Sequence, residues 1–485
     1  MTRQQQATPD EARLPLWLTE LRAQWSAEFI ETNISWLLLT EDTVYKFKRP
    51  VRFEFLDYST EARRRYFCEE ELRLNSRFAP ALYREVGTFG PTDEPAVVMN
   101  RFDEADRLDH VCRRGDLRPA HIADLVSTVV ALHEHAPSAA PDGPLGSPAT
   151  IGRRVATTLA TAAESGAADD PRLPPIAAWL TREHDRLAPL LQRRLESGLI
   201  REGHGDLHLA NLLLLDGVVT PFDGIEFSDE LRWLDVANEL AFPYIGLLDH
   251  GQPALASTLI DEWLTLRGDA EAVSLVRYYG CYRALVRAMV SGFEHRASDA
   301  ERYLAIAADL AAPVRRRLVI THGLSGSGKS TAARQLILAD PRAATVMLRS
   351  DVERKRLHGL NPHEDSRSPH HQGIYSESAT ADTYWRLAQM SEVLLASGWS
   401  VVADATFLEP GQRDLMRAVA QRAGADFRIL HCQAPLSELQ RRIRTRGPDA
   451  SEADLTVLAG QLAGYAPLSA DELAEVFITS TSGTG

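Results

Sequence analysis

The 485-residue sequence has few cysteines, almost no lysine and no long apolar run. Its four cysteines, Cys68, Cys112, Cys281 and Cys432, form no CxxC pair and lack metal-ligand spacing, so we expect reduced, buried thiols. No segment approaches the roughly 18 consecutive apolar residues of a membrane span, and the first residues contain no apolar leader-type region. Neither membrane insertion nor secretion is expected, and the sequence predicts a cytoplasmic protein.

Lysine is rare although basic residues are not. Only four of the 53 basic residues are lysines, namely Lys46, Lys48, Lys329 and Lys355. Because an ammonium group is a compact point charge that fits between phosphate oxygens, each lysine marks a position to inspect. We expect Lys355 at the surface. The net charge of −14 disfavours a general nucleic-acid coat, since phosphate backbones are bound by a basic face, but it leaves room for a local basic groove.

The order of the predicted elements differs between two parts of the chain. Near the N-terminus, "ISWLLLT" and "TVYKFKR" predict two short strands, and "STEARRRYFCEEELRLNSRF" predicts the helix that follows. Helices dominate 150–200 and 250–310. Beyond residue 317, strands and helices alternate, which predicts a parallel sheet with helices on both faces.

The segment "HGDLHLANLLL…VVTPFDGIEF" combines polar residues at a spacing that suits phosphoryl transfer. This chemistry needs a carboxylate that orients or deprotonates the acceptor hydroxyl, together with oxygen ligands for Mg²⁺. A loop followed by a tight hairpin can place such groups around one γ-phosphate. We therefore predict Asp206 as the catalytic base and Asn211 and Asp223 as metal ligands. His204 is expected to brace the loop, while His208 and Glu226 receive no role.

These residues resemble the catalytic loop of the aminoglycoside phosphotransferase family, whose fold is related to that of protein kinases. The resemblance covers residues 28–310 and implies an ATP-anchoring lysine in the N-terminal part, for which we choose Lys46 over Lys48. It also implies a carboxylate partner on the next helix. "CEEEL" offers three candidates, Glu69 to Glu71, among which Glu70 is our choice. The sequence departs from the family pattern in lacking a GxGxxG loop before Lys46.

The segment "GLSGSGKST" fits the phosphate-binding pattern G-x4-G-K-[ST], with a predicted strand before it and a helix after it. Backbone N–H groups in such a loop face the phosphates, and the helix dipole favours negative charge. Lys329 would reach the β/γ oxygens and Ser330 would hold Mg²⁺. The nucleotide-binding residues predicted here are Gly323, Ser325, Gly326, Ser327, Gly328, Lys329, Ser330 and Thr331.

Polar residues at the ends of the following strands predict what is done with the nucleotide. Asp351 could activate an acceptor hydroxyl and Arg354, one helical turn later, could bind an acceptor-side phosphate. Asp404 ends the third strand and is a candidate metal ligand. In "LQRRIRTRG", Arg442 and Arg446 are predicted to close over ATP as a lid, although a solvated helix face is the alternative.

This second set resembles the P-loop kinases that include polynucleotide 5′-hydroxyl kinases, zeta-toxin-like kinases and gluconate-kinase-like enzymes. The Asp-x-x-Arg step and "DATFLEPGQR" are closest to the polynucleotide kinases. We accordingly predict an α+β kinase-like bilobal domain followed by an α/β P-loop NTPase domain with a parallel sheet. The predicted order is an N-terminal extension (1–27), an aminoglycoside phosphotransferase-like domain (28–310), a linker (311–316), a P-loop kinase domain (317–478) and a flexible tail (479–485).

The function expected from both motifs is a bifunctional ATP-dependent phosphotransferase that uses ATP and Mg²⁺. Each half would transfer the γ-phosphate to a hydroxyl acceptor, either a small molecule or, for the C-terminal half only, a nucleic-acid 5′-hydroxyl. The alternative is that the N-terminal half is a ligand-sensing pseudokinase regulating a C-terminal P-loop kinase or ATPase. The sequence does not identify either acceptor or the oligomeric state.

Overall fold

The computed structural model describes residues 14–53, 56–164, 170–366, 368, 372–445 and 450–477. The contacts divide the chain into two compact units. Of the described residues, unit 1 contains those up to Asp116 together with Leu132–Ala139 and Arg201–Leu234. Unit 2 contains those of Leu117–Ala131 and Ala140–Ile200 and those from Asp235 onward. The first motif therefore lies in unit 1 and the phosphate-binding loop in unit 2. The domain boundary at 311–316 stays a prediction.

The strands of the described ranges are short, with at most seven residues each. They are β1 (Glu28–Glu31), β2 (Ser35–Leu39), β3 (Thr43–Lys48), β4 (Arg52–Phe53), β5 (Leu56–Asp57), β6 (Tyr83–Phe89), β7 (Glu94–Asn100), β8 (Ile200–Glu202), β9 (Leu212–Leu215), β10 (Val218–Pro221), β11 (Trp233–Asp235), β12 (Arg317–His322), β13 (Thr345–Arg349), β14 (Ser400–Asp404), β15 (Asp426–His431) and β16 (Val476–Phe477).

The helices of the described ranges vary from four to 24 residues. They are α1 (Leu16–Gln24), α2 (Glu61–Phe78), α3 (Leu108–Arg113), α4 (Pro119–His135), α5 (Pro148–Ala162), α6 (Leu173–Glu196), α7 (Asp229–Arg232), α8 (Val236–Asp249), α9 (Pro253–Arg267), α10 (Ala270–Phe293), α11 (Ala297–Ala311), α12 (Lys329–Leu338), α13 (Ser350–Leu357), α14 (Glu377–Ala396), α15 (Pro410–Ala423), α16 (Leu436–Thr445), α17 (Leu455–Ala463) and α18 (Ala470–Ala474).

Unit 1 is built on a five-stranded sheet with the order β1-β2-β3-β7-β6, in which every neighbouring pair is antiparallel. Because side chains alternate between the faces of a strand, β3 buries Val44 toward α2 and Phe47 toward α1. Lys46 and Lys48 share the face of Val44. The central position of β3 thus places both lysines inside the unit, next to α2.

The helix that faces these lysines, α2, begins where the sequence predicts it. The Thr60 hydroxyl accepts a hydrogen bond from the backbone N–H of Arg63 at 3.3 Å and caps the helix N-terminus. Cys68, Leu74 and Phe78 recur at helical spacing and are buried on one side. This apolar side packs on the sheet and fixes which of the polar residues of α2 point inward.

In unit 2 the predicted parallel sheet is confirmed. Its order is β13-β14-β12-β15-β16, and every neighbouring pair is parallel. The central strands are apolar and buried, as in Val319 of β12 and Val402 of β14, because helices cover both faces. The phosphate-binding loop follows β12, while Arg349 at the end of β13 lies opposite Asp404 at the end of β14. Ligands of such sheets bind at the carboxyl ends of the strands.

None of the helices in the described part of the chain combines the length and the hydropathy that crossing a membrane requires.

Candidate active sites

The first site centres on the ammonium group of Lys46. Its Nζ donates to Oε1 of Glu71 at 2.8 Å and to Oδ1 of Asp223 at 2.5 Å. Lys46 comes from β3, Glu71 from α2 and Asp223 from the loop after β10, so three separate elements meet at one cation. One of the two carboxylates that hold this lysine, Asp223, is thus the predicted metal ligand.

The carboxylate partner of Lys46 is Glu71, and the prediction of Glu70 is wrong. Glu71 is fully buried and lies one helical turn from Cys68 and from Leu74, on the side of α2 that packs on the sheet. Glu70 is rotated by about 100° from that side. Its carboxylate accepts instead from Arg73 at 2.8 and 3.0 Å. The sequence signal that identifies Glu71 is the helical period of the apolar residues of α2.

Lys48 also forms buried hydrogen bonds with two carboxylates, which the sequence did not predict. Its Nζ donates to Oε2 of Glu71 at 2.6 Å and also to Oε1 of Glu226, which accepts a further hydrogen bond from the Tyr58 hydroxyl. The side chains of Lys48 and Glu71 are fully buried. Glu226 therefore ties the loop after β10 to β3, and Glu71 is shared by two ammonium groups.

This network changes the acid–base properties of its members. Burial alone would raise the pKa of the Glu71 carboxyl, but Lys46 and Lys48 outweigh burial and hold the pKa below its usual value. For Lys46, burial favours a lower pKa, yet Asp223 and Glu71 raise the pKa well above its usual value. Both groups are thus held in their charged forms, as an ion pair with Asp223 requires.

The predicted base and the predicted amide ligand are adjacent. Nδ2 of Asn211 donates to Oδ2 of Asp206 at 3.3 Å and to the Asp206 carbonyl at 3.0 Å. The β9–β10 hairpin closes directly after Asn211, so the N–H of Phe222 donates to the Asn211 carbonyl at 3.0 Å and brings Asp223 beside this pair. Asp206, Asn211 and Asp223 are half-buried, which leaves their polar atoms accessible to a ligand.

The surrounding loop is braced by buried polar groups. Nε2 of His204 lies 2.7 Å from the carbonyl oxygen of Phe222, to which the ring N–H donates, so the expectation that His204 braces the loop is confirmed. Oδ1 of Asn75 accepts from the N–H of Gly224 at 2.7 Å. Between them Asp223 has φ +60°, in the left-handed region where a residue with a side chain is strained. Such strain persists only where the neighbouring contacts hold it.

The second site lies at the phosphate-binding loop of unit 2. Gly323 begins the loop with φ +148°, and a Cβ at this position would come within 2.3 Å of the Cys432 carbonyl oxygen. Gly328 is the N-cap of α12, and Nζ of Lys329 donates to the Leu324 carbonyl at 2.9 Å. Gly323 and Ser327 are buried. The other predicted loop residues line one cavity, namely Ser325, Gly326, Gly328, Lys329, Ser330 and Thr331.

Asp404 lies beside this loop, as the strand-end pattern predicts. It is 5% exposed, and its burial raises the pKa of the carboxyl, while a hydrogen bond from Ser330 works in the opposite direction. The Thr321 hydroxyl is 3.3 Å from Oδ1 of Asp404, and Nε of Arg349 is 3.9 Å from Oδ2. The structure thus brings together the two predicted metal ligands of this site, Ser330 and Asp404.

The predicted acceptor residues Asp351 and Arg354 line the same cavity. Nη1 of Arg354 donates to the Ile374 carbonyl at 2.9 Å and to the Thr380 hydroxyl at 3.1 Å, and its guanidinium lies 5.3 Å from the centre of the Tyr375 ring. Arg354 is only 7% exposed. Its guanidinium is therefore held at a fixed place in the wall, one turn of α13 away from Asp351.

Of the two arginines predicted to close over ATP, Arg442 lies within the described residues. Nε of Arg442 donates to Oε1 of Glu438 at 2.6 Å and Nη1 donates to the Gly326 carbonyl at 3.3 Å, so Arg442 lies against the phosphate-binding loop. Arg446 lies outside the described residues.

Sequence reasoning missed Gln461 of α17, whose Oε1 accepts from the N–H of Ser325 at 2.8 Å. No local signal marks a residue that reaches the loop from so far along the chain.

Lys355 is not at the surface, and that prediction is wrong. It is 1% exposed, and its Nζ donates to Oε1 of Glu452 at 2.9 Å and to the Pro362 carbonyl at 3.3 Å. Glu452 also accepts from the Tyr375 hydroxyl at 3.2 Å. The run of charged residues around Lys355 suggested a surface position, whereas the rarity of lysine in this chain marked Lys355 for inspection. Its buried ammonium group holds the segment around Glu452 to α13.

The cavity that joins these residues has a volume of about 1230 Å³. Ligand pockets commonly enclose about 300–1000 Å³, so this one has room for a nucleotide and an acceptor together. Lys329 and Asp404 lie in its wall with Asp351, and Tyr384 and Trp385 of α14 contribute aromatic surface. The arrangement can bind a triphosphate at the loop and a second molecule beside Asp351.

Comparison with known proteins places these features in a family. A family model described as an AAA domain matches residues 318–468. A protein of Mycobacterium tuberculosis (strain ATCC 25618 / H37Rv), named Uncharacterized protein Rv2004c, is 30% identical over 455 residues, which are 90% of this chain and 89% of that protein.

Two solved structures resemble separate parts of the chain. The Mycobacterium tuberculosis APS kinase CysC in complex with AMPPNP and APS is 30% identical, with a TM-score of 0.22, and the match covers 27% of this chain and 71% of that chain. The GDP and kanamycin complex of APH(2")-IIia is 13% identical, with a TM-score of 0.37, and the match covers 61% of this chain and 96% of that chain.

The predicted fold class, an α+β kinase-like domain followed by an α/β P-loop domain with a parallel sheet, is confirmed. The resemblance to aminoglycoside phosphotransferases in the first part and to P-loop kinases in the second is confirmed as well. Since the mycobacterial relative matches nine tenths of the chain at 30% identity, the chain belongs to the family of that protein.

Proposed function

We propose that the protein is a bifunctional ATP-dependent phosphotransferase in which each site transfers a γ-phosphate to a hydroxyl group. The observation that carries the proposal is that each site brings together a lysine and two aspartates from its own unit. Lys46, Asp206 and Asp223 supply the cation, the base and a metal ligand in unit 1. In unit 2, Lys329 supplies the cation, Asp351 the base and Asp404 a metal ligand.

In the first site, Asp206 is the residue that accepts the proton of the acceptor hydroxyl, and Asn211 orients the Asp206 carboxylate through the contact at 3.3 Å. Lys46, paired with Glu71, binds phosphate oxygens. Asn211 and Asp223 offer the amide and carboxylate oxygens that Mg²⁺ prefers, and when bound the ion would neutralise phosphate charge. The half-buried positions of both side chains suit this role.

In the second site, the loop amides and Lys329 hold the phosphates, and Asp351 accepts the proton of the acceptor. Ser330 and Asp404 fit a magnesium ion because they are hydrogen-bonded neighbours with oxygen ligands at the edge of the cavity. Arg442, which already contacts the Gly326 carbonyl, stabilises negative charge on the phosphates, and Arg446 is proposed to join it.

The test is a transfer assay with ATP labelled at the γ-phosphate. The acceptors are oligonucleotides with 5′-hydroxyl ends, neutral sugars and aminoglycosides, each tried with wild type, Asp206→Ala and Lys329→Ala. We expect each variant to lose one transfer activity by a factor of about 100 or more and to keep the other. If Asp206→Ala leaves every transfer rate unchanged, unit 1 is a pseudokinase that regulates the P-loop site, and the bifunctional proposal is wrong.

A further inference from the structure

Helix α13 carries the proposed acceptor residues on one side and a different set of charged residues on the other. Asp351 and Arg354 line the cavity. Glu353 and Arg356 are three residues apart and project to the opposite side, because each residue turns the helix by about 100°. With eight residues, α13 is too short to be held by its own hydrogen bonds alone. Its orientation depends on what the second side contacts.

That second side contacts the C-terminal end of α9. Nη2 of Arg356 donates to the Thr265 carbonyl at 2.8 Å and to the Leu264 carbonyl at 3.1 Å, and Nη1 donates to the Leu266 carbonyl at 3.2 Å. The last carbonyls of a helix lack intrahelical partners and carry the negative end of the dipole. One guanidinium thus donates to three carbonyls of the last turn at once.

The backbone of α9 is shaped to admit this guanidinium. Gly268 follows the helix in the left-handed conformation, with φ +60°, and its N–H donates to the Leu264 carbonyl at 2.9 Å. A Cβ at Gly268 would lie 2.2 Å from Nε of Arg356. Glycine is therefore required both by the conformation and by the space that the arginine fills.

A buried carboxylate fixes the other end of the contact. Glu353, 2% exposed, accepts from Nε of Arg356 at 3.2 Å and from Nε of Arg386 at 3.3 Å. Arg386 belongs to α14 and also donates to the Gly268 carbonyl at 3.1 Å. The helices α9, α13 and α14 are consequently joined by one connected set of charged hydrogen bonds.

We propose that Arg356 is a positioning residue of the P-loop site, which holds Asp351 and Arg354 in place by anchoring α13 to α9. The inference rests on the proposed function for the reaction that it affects. It extends that proposal, because α9 lies in the region assigned from the sequence to the first domain, 28–310. The P-loop site then depends on a helix from outside 317–478, and the two predicted domains share a framework.

The test compares Arg356→Met and Arg356→Lys in the full chain with Arg422→Met as the control. Arg422 also pairs with a glutamate, Glu392, but at an exposed position of α15 away from the cavity. All variants carry Asp206→Ala, so that slow MgATP hydrolysis without added acceptor reports on the P-loop site. Nucleotide affinity is measured with a fluorescent ATP analogue, and the backbone exchange of α13 is measured by hydrogen–deuterium exchange.

For Arg356→Met we expect hydrolysis to fall by about tenfold or more, because a misplaced catalytic carboxylate is costly, while nucleotide affinity changes by less than about threefold. Amides of 350–357 should exchange faster and amides of the phosphate-binding loop should not. Arg356→Lys should be intermediate, because an ammonium group cannot span three carbonyls. The control should match the parent protein.

A second variant keeps the inference testable if Arg356→Met folds poorly. Gly268→Ala leaves the charge of Arg356 in place but forces its side chain out of the pocket, and it should reproduce both the faster exchange of α13 and the slower hydrolysis. Equal losses of hydrolysis, nucleotide affinity and folded fraction would overturn the inference, since a merely structural role predicts them. If the parent shows neither phosphoryl transfer nor hydrolysis that depends on Lys329, the proposed function fails for the P-loop site, and α13 exchange alone decides whether Arg356 anchors the helix.

Discussion

Replacing Lys48 by methionine tests the buried ion network of unit 1. The substitution keeps the length of the side chain but removes an ammonium group that is fully buried between Glu71 and Glu226. Glu226 would keep only the hydrogen bond from Tyr58, while Glu71 would keep Lys46. The three carboxylates of this network, those of Glu71, Asp223 and Glu226, now share two ammonium groups, and after the substitution they would have that of Lys46 alone.

The expected effect follows from the burial of these groups. Removing one partner of a buried ion pair costs about 3–5 kcal/mol, because the remaining charge stays uncompensated in a low-dielectric environment. With an unfolding slope of about 2 kcal/mol per molar urea, the transition of unit 1 should move to lower urea by about 1.5–2.5 M. Removing both charges in Lys48→Met/Glu226→Gln should recover more than about 1 kcal/mol of this loss, since the introduced amide can still bond to the Tyr58 hydroxyl.

The assay is urea unfolding followed by tryptophan fluorescence, for which the buried Trp36 of β2 provides a probe in the same sheet. The control is Arg65→Met on α2, where an exposed pair with Glu61 is broken and a loss within about 1 kcal/mol is expected. A loss for Lys48→Met no larger than that of the control would refute the reasoning. So would a double variant that is no more stable than the single one.

Three further predictions concern unit 2. Gly323→Ala should abolish nucleotide binding at the P-loop site, because its Cβ would clash with the Cys432 carbonyl; unchanged affinity in a titration would contradict the loop geometry. Burial raises the pKa of Asp261 to about 6, so its contribution to stability is present below about pH 4 and is lost as pH rises through 6, by about 3 kcal/mol in all. Asp261→Asn should therefore remove most of the change in melting temperature between about pH 4 and 6.5, the window between the ordinary and the raised pKa. A pH dependence equal to that of wild type in this window would count against it. Asp351→Asn should slow P-loop transfer about 100-fold with nucleotide affinity unchanged, and a full rate would remove Asp351 as the base.

Features encoded over short distances were predictable from the sequence. The glycine spacing before Lys329 identified the phosphate-binding loop, and alternating strands and helices identified the parallel sheet. The hairpin after Asn211 was visible in two apolar runs around Asp216-Gly217, a turn pair that permits positive φ. In each case the physical requirement lies within a few neighbouring residues.

Partners that come from distant parts of the chain were not predictable. The choice between Glu70 and Glu71 depends on which side of α2 packs on the sheet, and a glutamate has no preference of its own. Lys355 occurs in a run of charged residues that is typical of a surface helix, yet Glu452 of a later segment buries it. The contact of Arg356 with α9 depends on tertiary packing in the same way.

The central claim is that each of the two sites binds its own nucleotide. Equilibrium dialysis with a labelled, non-hydrolysable ATP analogue and Mg²⁺ measures the number bound per chain in wild type, Lys46→Met and Lys329→Ala. The account predicts two nucleotides for wild type and one for each variant. A single nucleotide on the wild-type chain, lost in one variant and unchanged in the other, would contradict it.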